Sequence, residues 1–215
     1  KVLELVGDHP HFMHGIAYND EKGNNVRVLD VVSGKNFYQY INTIHMDHKQ
    51  YFHEILPGIL NKLLVAFESL RLLHINGLKH GDIRNDHIII EEETGNYVWI
   101  DFDYDFDSVE NPFSLDLIGL GNILTYAIGK GFHNLKEKNT SNGNLLYKNL
   151  IEKVVPEDFS IVHKWRFMNL QKLFPYIPIG LNNILAHFTL GSDIFYESVD
   201  EILADLKTCM YAGLS

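Results

Sequence analysis

A single cysteine, Cys209, stands in 215 residues. No internal disulfide can form, and the chain suits a reducing compartment, the cytoplasm. Apolar runs such as YVWI (97–100) and IGLGNILTYAIG (118–129) are too short or too interrupted to span a bilayer. The N-terminus lacks the charged-then-apolar layout of a signal peptide. Positive charge is scarce: 18 basic against 28 acidic residues give a formal net charge of -10. The overall field therefore repels phosphate backbones and anionic bilayers, which argues against nucleic acid and membrane as partners. Any phosphate the protein handles must be met locally, by a helix end, a metal or a single Arg. There is no internal repeat and no H-E-x-x-H, and the twelve histidines, HPHFMH (9–14), His45, His48 and His53 among them, have no cysteines to complete a zinc pattern. An initiator Met is also missing; the chain opens in mid-flow with KVLELVGDHP, as if cut from a larger protein.

What is present is an ordinary globular composition, 46% hydrophobic and 21% charged, enough for one good-sized domain or two small lobes. Residues 16–18 and 26–32 (VRVLDVV), joined by the turn-like NDEKGNN, predict a hairpin, which SGKNF then breaks. From Ile55 to His74, Leu56, Ile59, Leu60, Leu63, Leu64, Phe67, Leu70 and Leu73 recur at helical spacing, with Gly77 as the stop. HIII (87–90) and YVWI (97–100) read as two strands joined by EEETGN. A nearly all-apolar helix is expected from Ser114 to Ile128, a polar linker at 136–144, and further helices near 145–154, 160–173, 179–188 and 198–210. The last opens on Ser198 with Glu201 three places on, a capping-box spacing. Trp99 and the alternating aromatics of YVWIDFDYDF read as core.

The chemical signal lies in the acids. Ile100-Asp101-Phe102-Asp103-Tyr104-Asp105 puts carboxylates at the mouth of the second hairpin, where oxygen ligands can hold a hard cation. Asp82 feeds the other strand from the loop HGDIRNDH (80–87), and Arg84 supplies a planar cation two residues on. One carboxylate suited to a metal and one to a hydroxyl proton make the minimum kit for phosphoryl transfer. Each also has a plain structural reading, as a solvated strand end or an Asx-turn.

Together these residues resemble a known family. His80-Gly81-Asp82-Ile83-Arg84-Asn85-Asp86-His87-Ile88-Ile89-Ile90, followed after ten residues by Asp101-Phe102-Asp103, resembles the catalytic and metal loops of the protein-kinase-like superfamily in its H-G-D form. Ser114 to Gly121, running on to Gly131, resembles the family's buried helix, with Asp116 bracing the catalytic-loop backbone. His9-Pro10-His11-Phe12 resembles its H-P-N-I turn, Arg27 to Phe37 its hinge, and Phe195 to Leu206 the closing helix of bacterial Ser/Thr kinases. The implied fold is α+β: a partial small lobe with hinge over 1–35 and a mainly helical large lobe over 36–215.

The resemblance also implies roles. Asp82 would orient or deprotonate the acceptor hydroxyl, and Arg84 would stand where the family's catalytic-loop Lys touches the γ-phosphate of ATP. Asp101, with His87 and Asp103, would hold Mg²⁺ or Mn²⁺. Backbone groups of Asp30 and Val32 would meet adenine, with Ile89 and Ile100 beneath it and Leu29 at the back of the pocket, while His80 and Asp116 would support the loop. The implied activity is an ATP-dependent Ser/Thr kinase-like phosphotransferase acting on a hydroxyl of a protein or small molecule. The alternatives are a pseudokinase scaffold and a small-molecule kinase of the aminoglycoside or choline type.

Four departures from the family pattern stand out. His87 replaces the Asn that is the second metal ligand, and imidazole suits Mn²⁺ or Zn²⁺ better than Mg²⁺. Asp103 replaces the Gly of D-F-G. Only 12 residues separate Asp103 from Asp116, with no A-P-E, too few for a regulated activation loop. The chain opens where the Glu of the family's small-lobe helix is expected, past the Gly-rich loop and its Lys.

Overall fold

The computed structural model describes residues 1–102, 110–135 and 153–213. Its first unit is small: helix α1 (Val2–Val6), whose Val2, Leu3 and Val6 are buried, then an antiparallel hairpin of β1 (Gly15–Asn19) and β2 (Asn25–Leu29). Asp20 closes the hairpin turn by accepting from the backbone N–H groups of Lys22 and Asn24, both at 2.8 Å. The hairpin's outer surface is apolar, with Ile16, Tyr18, Val28 and Val31 exposed.

A three-stranded antiparallel sheet has two of its strands after the loop HGDIRNDH and ends beside Asp101. Its order is β3 (Gly34–Asn36), β4 (Ile88–Glu91) and β5 (Tyr97–Trp99). The hairpin strand ends before SGKNF, as expected, but Gly34–Asn36 then form a new strand in this second sheet. Gly34 has φ 157°, and a Cβ there would lie 2.1 Å from the Ile90 carbonyl oxygen, so the missing side chain is what lets the segment pair with β4. The HPHF turn is hooked to the far edge: Trp99 donates its N–H to the His11 carbonyl at 2.9 Å and Met13 donates to the Trp99 carbonyl at 2.8 Å.

The helices supply the body. After the short helices α2 (Phe37–Asn42) and α3 (His48–Glu54), α4 (Leu56–Ile75) buries the stripe read from the sequence, from Leu56 to Leu73. Helix α5 (Ser114–Gly129) is buried on nearly every side, as its composition requires. Beyond it lie the two-stranded pair β6 (His133–Asn134) and β7 (Arg166–Phe167), then α6 (Leu170–Leu173), α7 (Ile179–Ala186) and α8 (Val199–Tyr211), with α8 packed along α4. Ser198 caps α8 by accepting from Glu201 N–H at 3.4 Å, while the Glu201 carboxylate takes the N–H of Glu197 rather than of Ser198.

The helix expected over 160–173 does not form; only Leu170–Leu173 is helical. Ser160 Oγ draws in the N–H groups of Val162 and His163, and Ser160 N–H bonds the Arg166 carbonyl, which turns the chain back into β7. The linker at 136–144, most of the helix expected near 145–154, and Asp103 lie outside the described residues. Among the described residues no helix is long and apolar enough to cross a membrane.

Candidate active site

The loop between α4 and β4 is held from below. Asp116, in the first turn of α5, accepts from Gly81 N–H at 2.7 Å and His80 N–H at 2.9 Å, and from His74 Nε2 at 3.0 Å. Burial pushes this carboxyl upward, but the three donors outweigh it and hold Asp116 below the ordinary carboxylate range. One buried acid thus fixes the backbone at the start of the loop, and Gly81, at φ 83°, makes the turn.

His80 is fully buried, and burial drives its pKa down to about 4 against the opposing pull of Asp116. It is therefore neutral at pH 7 and serves as a packing group. Its ring stands edge-on to Trp99 at 5.3 Å and to Phe102 at 6.1 Å, and Phe102 stands edge-on to Phe12 at 5.9 Å. This aromatic column joins the HPHF turn, the residue after Asp101 and the loop 80–87. Phe12 stands in the H-P-N-I-like turn read from the sequence, whereas the role of His74 has no sequence signal, because a helix-ending His looks like ordinary core.

The two carboxylates meet around His87. Its Nδ1 lies 2.8 Å from the Asp82 carbonyl and 3.4 Å from Asp82 Oδ2, while its Nε2 lies 3.9 Å from Asp101 Oδ2. Strand pairing does the gathering, since Ile100 donates its N–H to the His87 carbonyl at 3.0 Å. Asp101 closes the strand at φ 55°, a left-handed conformation that Asp tolerates better than most residues, and its side chain is 63% exposed.

Arg84 is engaged: Nε and Nη2 hold Asp86 in a bidentate pair at 3.0 and 2.6 Å, and Nη1 stands 4.0 Å from Asp82 Oδ2. Asp86 is lowered by that hydrogen bond, and Arg84 is raised by it. Of the residues expected to meet a nucleotide, Leu29 and Asp30 are exposed, Val32, Ile89 and Ile100 are half-buried, and Asp30 N–H is donated to the His14 carbonyl at 3.0 Å.

A divalent cation fits this donor set only in part. Among the described residues no three of His, Cys, Asp and Glu form a metal cage. The His87–Asp101 pair nonetheless has the chemistry of an open site. When Nδ1–H is donated to the Asp82 carbonyl, the Nε2 lone pair turns toward Asp101, which is the usual support of a metal-bound imidazole. The remaining ligands would be phosphate oxygens and water.

No protein-family model matches the chain, and no curated protein matches it in sequence. Its backbone is similar to solved protein-kinase domains. A point mutant of the PknI kinase domain of Mycobacterium tuberculosis aligns over 95% of this chain and 74% of its own, with TM-score 0.57 and 13% identity. A double mutant of the same domain aligns over 93% and 71%, with TM-score 0.59 and 12% identity.

Proposed function

We propose that this chain, which carries the protein-kinase-like α+β fold, is an ATP-dependent phosphotransferase of the cytoplasm acting on a hydroxyl acceptor, protein or small molecule. The observation that carries the reading is the placement of Asp82 and Asp101 on either side of His87, on a loop fixed by Asp116. Asp82 positions the acceptor hydroxyl and takes its proton as the acceptor oxygen bonds the γ-phosphorus. The bond from that phosphorus to the bridging oxygen breaks, and ADP leaves with the electron pair. Arg84 turns from Asp86 to the transferring phosphoryl group, a short swing for a surface side chain. Asp101 and His87 would hold the divalent cation, which would neutralise charge on the phosphates. Asp30 and Val32 offer backbone groups to adenine between Leu29, Ile89 and Ile100. The imidazole at His87 favours Mn²⁺ over Mg²⁺.

The test is transfer of labelled γ-phosphate by the full-length protein in Mg²⁺ and in Mn²⁺, beside Asp82→Asn and Asp101→Asn. Transfer that both substitutions reduce by about 10³-fold or more, faster in Mn²⁺, is the expected result. A second reading, a pseudokinase, is favoured by the Arg84–Asp86 pair, which holds the loop's cation away from the phosphoryl position. Silence in both metals with ATP still raising the melting temperature would establish it and sink the enzyme.

A further inference from the structure

Beside the catalytic loop lies a pocket of about 380 Å³, lined by Tyr38, Arg84, Asn85, Asp86, Asn122, Phe132, His163 and Arg166 among others. Its charge runs against the chain's. Among the described lining residues, Arg84 and Arg166 bring two guanidinium groups and Asp86 one carboxylate, so these leave one positive charge over in a protein of net charge -10. The surplus belongs to Arg166, since Arg84 and Asp86 are paired with each other.

Arg166 is held but not neutralised. Its Nη1 donates to the neutral amide oxygen of Asn122 at 2.6 Å, and its guanidinium carbon lies 3.6 Å over the Phe132 ring. Its Nε is buried with no hydrogen-bond partner, and no carboxylate reaches it among the described residues. Burial lowers this side chain to about 10. A half-buried cation without a counter-ion costs free energy that an anion would return. Asn85 repeats the pattern one residue from Arg84: only 9% exposed, it keeps its Oδ1 buried and unpartnered. The pocket is preformed, because Asn85's carbonyl is pinned by the N–H of Tyr38 at 3.1 Å.

We propose that this pocket binds an oxyanion, carboxylate or phosphate, carried by the acceptor whose hydroxyl goes to Asp82. The inference rests on the phosphotransferase reading and names its substrate class. Arg166 anchors the oxyanion through the guanidinium that lines the pocket, Asn85 lines the same wall, and Arg84, 4.0 Å from Asp82 Oδ2, links the pocket to the catalytic carboxylate. The anion comes from an acidic or phosphorylated side chain of a peptide, or from a small hydroxy acid or phosphate ester.

Direct titration without ATP or metal separates this inference from the activity it rests on. The probes are phosphoserine, malate, a serine peptide flanked by glutamates and the same peptide flanked by glutamines, each titrated into wild type, Arg166→Gln and Arg166→Lys, with melting temperatures recorded. Anionic probes binding wild type about 10- to 100-fold more tightly than Arg166→Gln, with partial recovery in Arg166→Lys and loss in high salt, is the expected result. Preference for the acidic peptide over the small molecules assigns a peptide source, and the reverse a metabolite. No anion binding by folded wild type, or equal binding by a folded Arg166→Gln, overturns the proposal, whether or not the protein transfers phosphate.

Discussion

Asp116 accepts three hydrogen bonds while 1% exposed, so its removal leaves three donors unsatisfied inside the core. Asp116→Ala should cost about 3–5 kcal/mol, in the range for a broken buried charged network, and free the His80–Gly81 backbone. Denaturant unfolding reads the loss; a change below about 1 kcal/mol would show that water replaces the carboxylate. The candidate site residues are the most legible part of the sequence. Asp82, Asp101 and Asp116 stand at motif spacings that need no folding to be seen. What the motif hid was pairing. No spacing says that Arg84 closes on Asp86, that His87 sits between Asp82 and Asp101, or that Arg166, some eighty residues downstream, arrives at the same loop, because each depends on a side-chain direction or a tertiary approach.

Among the elements, α5 approaches the loop 80–87 more closely than any side chain would permit. A Cβ on Gly119 would lie 2.5 Å from Ile83 Cβ and 2.7 Å from the Ile83 carbonyl oxygen. Gly119→Ala should therefore destabilise the fold by about 1–3 kcal/mol, and it should lower any phosphotransfer as well, since Ile83 neighbours Asp82. Gly58, on the exposed side of α4 with nothing within 4 Å of its missing Cβ, is the control. Gly58→Ala should add about 0.5–1 kcal/mol through helix propensity alone. Melting curves of the two variants moving in the same direction would contradict this account of α5.

The long periodic elements, α4, α5 and the β4–β5 hairpin, could be read because each buries a repeating stripe. Helices α2 and α3 bury only a pair of side chains each, so periodicity had nothing to repeat. The available signal was at their caps: Asn36 accepts from Gln39 N–H at 2.8 Å and Asp47 from Gln50 N–H at 2.9 Å, a polar cap followed three residues on by Gln in both cases. Over 160–173 the apolar spacing predicts a helix, but Asp158 competes for the backbone. Its carboxylate gathers Val155 N–H, Asn169 and Lys172, and that local network shortens the helix to Leu170–Leu173.

At the scale of the whole molecule, buried histidines set the acid limit of the fold. Burial lowers His80 to about 4, and burial also lowers His48 to about 4, where its ring lies flat on Phe174 at 3.6 Å with Nδ1 bonded to the Tyr176 hydroxyl and Nε2 to the Ile128 carbonyl. Both folded values lie below the unfolded 6.5, so between about pH 4 and 6.5 the unfolded chain binds protons that the folded chain refuses. Stability should be full above pH 6.5 and fall as pH drops, by up to about 3 kcal/mol at pH 4 for His80 alone. Asp116, lowered from its ordinary value, adds a further loss only as pH falls below about 3.8. Melting temperatures at pH 7.5, 6 and 5 check the slope; a flat profile would mean that the rings are open to water when folded.

The burial of Trp99 has an optical consequence. Its indole is 0% exposed, bonded through Nε1 to the Ala66 carbonyl at 2.8 Å and standing against His80, whereas Trp165, 42% exposed, is next to Arg166 in sequence. With two tryptophans in the chain, steady-state fluorescence divides into a blue-shifted emitter packed against the loop 80–87 and a red-shifted, quencher-accessible emitter at the surface. Acrylamide should silence the second and spare the first, so one spectrum can follow unfolding of the core apart from changes at the surface.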